Sequence, residues 1–209
     1  MSKSLKKSSH SYQHGNLREA ILKVSLQVIE KKGEQALSMR DLAKMTGVTH
    51  QAPYRHFKDK DALLAALAQD GFEQLYALMV ENLKSATDPM EKLERIIQNY
   101  MAWAFEHPDH FRLMFSRHIP EYETSESLQK VTNQTLELIL KVVEENQEAK
   151  NLRPGDPRPL ARHFWASIHG ATLLLIDRQF KPLNKIANPV PQLAKDILWN
   201  LVNGLKPSL

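Results

Sequence analysis

Residues 38–57 read SMRDLAKMTGVTHQAPYRHF, and the fold follows from how this stretch divides. Ser38 can cap a helix, and Asp41 then sits in a first turn, where the helix dipole favours negative charge. Leu42 and Ala43 can face inward. Gly47 can take the positive φ that a helix-ending turn needs. Val48 can plug the space between two helices, and Thr49 can cap the second. His50, Gln51, Tyr54, Arg55 and His56 then offer polar, aromatic and basic ends. Helix, glycine turn and a second helix of this kind make the helix-turn-helix of DNA-binding proteins. The plainer alternative is a helical hairpin with merely solvated polar residues; the agreement of several independent features favours the first.

The run from Ala43 to Ala66, with GVTHQAPYRHFKDKDALLAA at its heart, resembles the helix-turn-helix and following helix of the TetR family of bacterial transcriptional regulators. Gly47, Val48, Tyr54, Phe57, Lys60 and Leu63 match the family's motif in order. The match covers about residues 14 to 74; the remainder is similar in length and helical pattern. The resemblance implies that Lys60 and Tyr54 bind phosphate, and their chemistry suits it: a cation, and a hydroxyl on a rigid ring. Arg40 can reach a phosphate or a guanine edge. His50 and Gln51 open the recognition helix, and Gln51 can pair both edge groups of adenine. Ala52 could accept a thymine methyl, and His56 a phosphate. Ser38, Thr49 and Pro53 complete the expected DNA-facing set. Pro53 departs from the family's usual aliphatic residue, although a subgroup shows A-P-Y here. It lacks the N–H that would bond the Thr49 carbonyl, so the second helix must start tighter or one residue later.

Charge placement agrees with a nucleic-acid head. Up to Lys60 there are twelve basic residues and five acidic ones, in a chain whose net charge is +4, so the remainder is mildly acidic. The 209 residues suit two small domains, and 42% hydrophobic content allows a sizeable core. The absence of cysteine excludes disulfides and thiolate metal sites. No apolar run approaches the ~18 residues of a membrane span, and the N-terminus has no apolar signal core, so a cytoplasmic protein is expected.

Residues 1–13, rich in Ser and Lys, read as a disordered basic arm that could reach phosphates or the minor groove. Asn16 with Glu19 resembles a capping box that opens a first helix ending at Gly33. Asp59 caps a long helix that continues to about Lys84, the link between head and body. Asp88-Pro89, His107-Pro108, Asp156-Pro157 and Asn188-Pro189 are further start or break signals. The expectation is an all-α chain of about nine helices: a three-helix head over 14–74 and a ligand-binding and dimerisation body over 75–209. There is no alternating strand pattern, internal repeat or phosphate-loop glycine motif.

The body is rich in Met and aromatics. Tyr76, Met79, Tyr100, Met101, Phe105, Phe111, Met114, Phe115, Trp165 and His169 are candidates for an apolar effector pocket, with plain helical core as the alternative for each. Trp165, His169 and Gly170 resemble the W-x-x-x-H-G element of one C-terminal subgroup of the family. Ile168, Thr172, Leu175, Ile197, Leu198, Leu201, Val202 and Leu205 are the expected dimer interface, because the last two helices carry apolar residues on more than one side. His107, His110 and His118 could instead bind zinc in a metal-responsive regulator. No nucleophile motif or carboxylate pair stands out, so neither an enzyme nor a cofactor is expected. The reading is a ligand-responsive repressor that binds a palindromic double-stranded operator as a homodimer and is released by a small, largely apolar effector. A helical protein-interaction module is the alternative.

Overall fold

The computed structural model describes residues 17–116, 125–181 and 187–204. The basic arm, the Asn16 cap, His118 and Leu205 lie outside these described residues. Among the described residues there are eight α-helices and no strand. They are α1 (Leu17–Lys32), α2 (Met39–Met45), α3 (Lys60–Leu83), α4 (Pro89–Glu106), α5 (Pro108–Met114), α6 (Glu126–Glu148), α7 (Pro157–Ile176) and α8 (Val190–Asn203). The chain divides into two compact units, with the boundary between Leu64 and Ala65 inside α3.

In the first unit, α1 buries Ile21, Leu22, Ser25 and Ile29 at helical spacing, and the Ser25 hydroxyl donates to the Ile21 carbonyl at 2.7 Å. Ser38 caps α2 by accepting from the Asp41 amide at 3.5 Å. The helix closes in a Schellman motif: Gly47 at φ 71°, the Val48 amide donating to Ala43 and the Gly47 amide to Lys44.

The ninth expected helix is the difference. Where a recognition α-helix was expected, the chain makes turns and one 3-10 segment, Pro53–Arg55. Pro53 is the physical reason. It cannot donate to Thr49, so the Ala52 amide takes that carbonyl at 3.0 Å, three residues apart. The same tight pattern continues from Arg55 to Ala52 and from His56 to Pro53. The segment starts without a side-chain cap, so the expected cap by Thr49 is not seen.

The second unit is organised on α4. Asp88 caps it by accepting from the Glu91 amide at 2.9 Å, and Pro89 occupies the first turn where a missing N–H costs nothing. Leu93, Ile96, Ile97, Tyr100, Met101 and Ala104 are buried along one face, against α6, α7 and α8. Each fully buried Leu or Ile contributes roughly 1.5–3 kcal/mol. The short α5 is held to its neighbours by specific bonds. His110 Nε2 pairs with the Leu67 carbonyl of α3 at 2.7 Å, and Arg112 ties to Asp177, just beyond α7, at 2.7 Å. No helix among the described residues is long and apolar enough to cross a membrane.

Candidate nucleic-acid face and ligand cavity

In the first unit Arg40, Thr49, His50, Gln51, Tyr54 and His56 are all exposed, and Tyr54 keeps 49% of its surface. Ser38 and Ala52 are half-buried. Gln51 Nε2 lies 3.2 Å from His50 Nε2, so these two side chains share a hydrogen bond. Pro53 is buried, which corrects its place among the DNA-facing residues: it shapes the turn and presents nothing outward. Phe57 is buried at its side, with the Arg18 guanidinium 5.7 Å above its ring. Lys60 is half-buried, and its ammonium donates to the Glu34 carbonyl at 3.0 Å. A groove of about 430 Å³ runs along Leu17, Gly47, Thr49, Ala52, Arg55 and His56. Arg55 was not among the expected contacts. Its signal was present in the sequence, a cation beside Tyr54 and His56 among the polar ends of the second segment.

In the second unit a cavity of about 210 Å³ is lined by Phe72, Tyr100, Phe115, Thr132, Thr135, Leu136, Ile139 and Trp165. Three of these, Tyr100, Phe115 and Trp165, belong to the expected pocket set. Trp165 and Phe115 approach with ring centroids 6.4 Å apart, and Phe72 meets Phe115 edge-on at 5.3 Å. His169 stands behind this wall. Its Nδ1 is 2.8 Å from the Tyr100 hydroxyl, and its ring lies 4.4 Å from Phe115 and 5.5 Å from Phe111. Burial pushes the His169 pKa below the ordinary histidine value, so the imidazole is neutral near pH 7. A second groove of about 250 Å³ shares Leu136, Ile139 and Trp165 and adds Asn133, Glu137, Arg158 and Arg162.

Several expected pocket residues are placed elsewhere. Met79, Met101, Phe111 and Met114 are fully buried in the helical core and do not line the cavity. Tyr76 is half-buried off the cavity, and Phe105 is 40% exposed on the far end of α4. The side that sequence reading missed is α6, which supplies Thr132, Thr135, Leu136 and Ile139. Two threonines within an apolar helical stripe were the available signal. The zinc alternative loses a ligand, because His110 is buried with Nε2 on the Leu67 carbonyl. Among the described residues no group of three potential ligands gathers.

Of the expected dimer residues, Ile168, Thr172, Leu175 and Leu198 are buried inside the unit. Ile197, Leu201 and Val202 are half-buried. The large apolar side chains left outside on these helices are Leu174, 45% exposed, and Trp199, 60% exposed. A Cβ at Gly170 would meet nothing within 4 Å, so α7 also has an open surface there.

Residues 21–67 match the family model described as bacterial regulatory proteins, tetR family. Residues 93–193 match the model of the tetracyclin repressor-like C-terminal domain. The nucleoid occlusion factor SlmA of Vibrio vulnificus is 27% identical over 172 residues, 79% of this chain and 87% of that protein. A solved structure of a protein with unknown function from Rhodococcus sp. RHA1 superposes with TM-score 0.80 at 28% identity, covering 95% of this chain and 100% of that one. The transcriptional regulator FadR from Bacillus subtilis, solved with stearoyl-CoA, gives TM-score 0.74 at 18% identity over 90% and 99% of the two chains, a likeness of fold alone.

Proposed function

This chain belongs to the tetR family of bacterial regulatory proteins, a DNA-binding transcriptional regulator, and from that premise we propose that it is a repressor released by a small, largely apolar effector. The observation that carries the finer reading is the pairing of two features in one chain. The head exposes Arg40, His50, Gln51, Tyr54 and His56 together, and the body holds an aromatic-lined cavity. The exposed set combines phosphate chemistry with base-edge chemistry. The cavity has the composition of small-molecule sites: apolar walls with few polar groups. One helix connects them in the chain, since α3 carries Lys60 near its start and Phe72 in the cavity wall. That a FadR neighbour was solved with stearoyl-CoA adds support for an effector in a fold of this kind.

The protein acts as a homodimer on a palindromic operator in this reading. Leu174, Gly170 and Trp199 support it, because a large exposed tryptophan on a short helix invites cover. The test is a gel shift of DNA from the protein's own promoter, with and without candidate apolar ligands. Retarded DNA that ligand releases is expected; no retardation at low salt would overturn the reading. The SlmA resemblance favours a second reading, a DNA-bound factor that acts on the nucleoid instead of at a promoter. Mapping occupied sites across the chromosome distinguishes them: one or few promoters for the repressor, many dispersed sites for the alternative.

A further inference from the structure

The polar atoms of the cavity are not neutral as to what they accept. Thr132 and Thr135 both sit on α6 with their hydroxyls spent inward. Thr132 Oγ1 donates to the Leu128 carbonyl at 3.0 Å and lies 2.9 Å from the Gln129 carbonyl. Thr135 Oγ1 donates to the Val131 carbonyl at 2.9 Å. A threonine hydroxyl has one proton and two lone pairs, so each has only lone pairs left for a guest. The phenol of Tyr100 is paired with His169 across 2.8 Å. The backbone amides of the lining helices are engaged within those helices. The indole N–H of Trp165 is the remaining donor type among the lining side chains, and Trp165 also borders the outer groove.

Size narrows the guest further. An apolar protein cavity of about 150 Å³ takes up benzene. At about 210 Å³ this one suits a single substituted ring. Its walls, Phe72, Tyr100, Phe115 and Trp165, offer ring faces and edges for offset or edge-on packing. A carboxylate placed here would lose its water and meet the oxygens of Thr132 and Thr135, with the single indole N–H of Trp165 to offset that loss. A hydroxyl or amine would donate to those same oxygens.

We propose that the cavity selects a neutral single-ring aromatic molecule bearing a hydrogen-bond-donating hydroxyl or amine, the phenol and aniline class, read by Thr132 and Thr135. This rests on the reading of the cavity as the effector site. Arg158 and Arg162 in the adjoining groove make an aromatic acid the natural competitor, so the acid belongs in the test. The full chain is titrated calorimetrically with phenol, toluene and benzoate. Phenol binds about three- to tenfold tighter than toluene, the worth of one net hydrogen bond, and benzoate binds weakest. In Thr135→Val or Thr132→Val that advantage shrinks toward unity while toluene affinity is kept, which also reports an intact cavity. Equal affinity for toluene and phenol, tightest binding of benzoate, or a phenol preference unmoved in both variants overturns the donor class and leaves the effector cavity standing. No binding of any of the three probes overturns the effector-cavity reading itself.

Discussion

The ammonium of Lys60 donates one of its three protons to the Glu34 carbonyl at 3.0 Å, which holds the charge beside the start of α3. Two protons remain for a phosphate. Lys60→Ala is therefore expected to weaken binding to all DNA sequences alike and to reduce the salt slope by about 0.9, the worth of one neutralised phosphate. A filter-binding series across salt concentrations checks this; lowered thermal stability with an unchanged slope would leave Lys60 only its bond to Glu34. His169 gives a second expectation. Its pKa is lowered in the folded protein by burial among Tyr100, Phe111, Phe115 and Trp165. The unfolded chain takes up its proton near pH 6.5, while the folded protein resists it to lower pH. Stability is thus lost as pH falls below about 6.5, toward the lowered native value, and is untouched above it. His169→Gln should flatten the fall in Tm between neutral and mildly acidic pH. If both proteins lose Tm in parallel, His169 is not the group responsible.

At the scale of the element, the close approach of α5 to α3 depends on Gly71. A Cβ there would lie 2.6 Å from Met114 Sδ and 2.9 Å from His110 Nε2. Methionine can swing aside, but His110 is held by the Leu67 carbonyl. The gain in helix propensity, about 0.5–1 kcal/mol, is outweighed by overpacking of about 1–3 kcal/mol. Gly71→Ala should therefore lower stability in urea, and combining it with Met114→Ala should cost less than the two losses added. A neutral or stabilising Gly71→Ala would mean that the helices separate freely. Gly71 also marks where the sequence stopped being legible. Boundaries announced by Ser38, Gly47, Asp88-Pro89 and Asp156-Pro157 were readable, because caps and prolines act locally. The tightening at Pro53 was readable for the same reason. What could not be read was which of two apolar faces a helix turns inward. Met79, Met101 and Met114 in the core and Trp165 at the cavity carry the same composition signal, and only packing separates them. The contribution of α6 to the cavity escaped notice because its threonines resemble ordinary half-buried polar positions.

At the scale of the whole molecule the question is how one small head finds specificity. A single recognition segment spans few base pairs; the homodimer we propose would set two such segments on half-sites about 34–36 Å apart or a multiple of that. Sequence reading assigned the contact to Ile168, Thr172, Leu175, Ile197, Leu198, Leu201, Val202 and Leu205; of these, Ile168, Thr172 and Leu175 have 2%, 0% and 2% of their surface left and belong to the core of their own unit, while Ile197, Leu201 and Val202 are half-buried. The homodimer we propose must use the opposite side of the same helices. On α8 the inward row is Val190, Leu193, Ala194 and Leu198, which leaves Trp199 outward with Val202 one turn on. On α7, Leu174 stands outside with Gly170 four residues before it, where the absent side chain lets a partner helix come close. A two-fold contact is self-complementary, so one substitution strikes twice. Trp199→Glu is therefore expected to turn dimer into monomer and to remove operator binding, with the helical content unchanged because Trp199 is 60% exposed in its own unit. A charged residue at Val202 should act the same way but less strongly, since Val202 is already half-buried. Ile168→Val, by contrast, should lower stability by about 0.5–1.5 kcal/mol without altering the oligomeric state. Sedimentation of the three variants beside the wild type decides it: a monomeric wild type at micromolar concentration, or a Trp199→Glu variant that stays dimeric, would sink this face of the proposal.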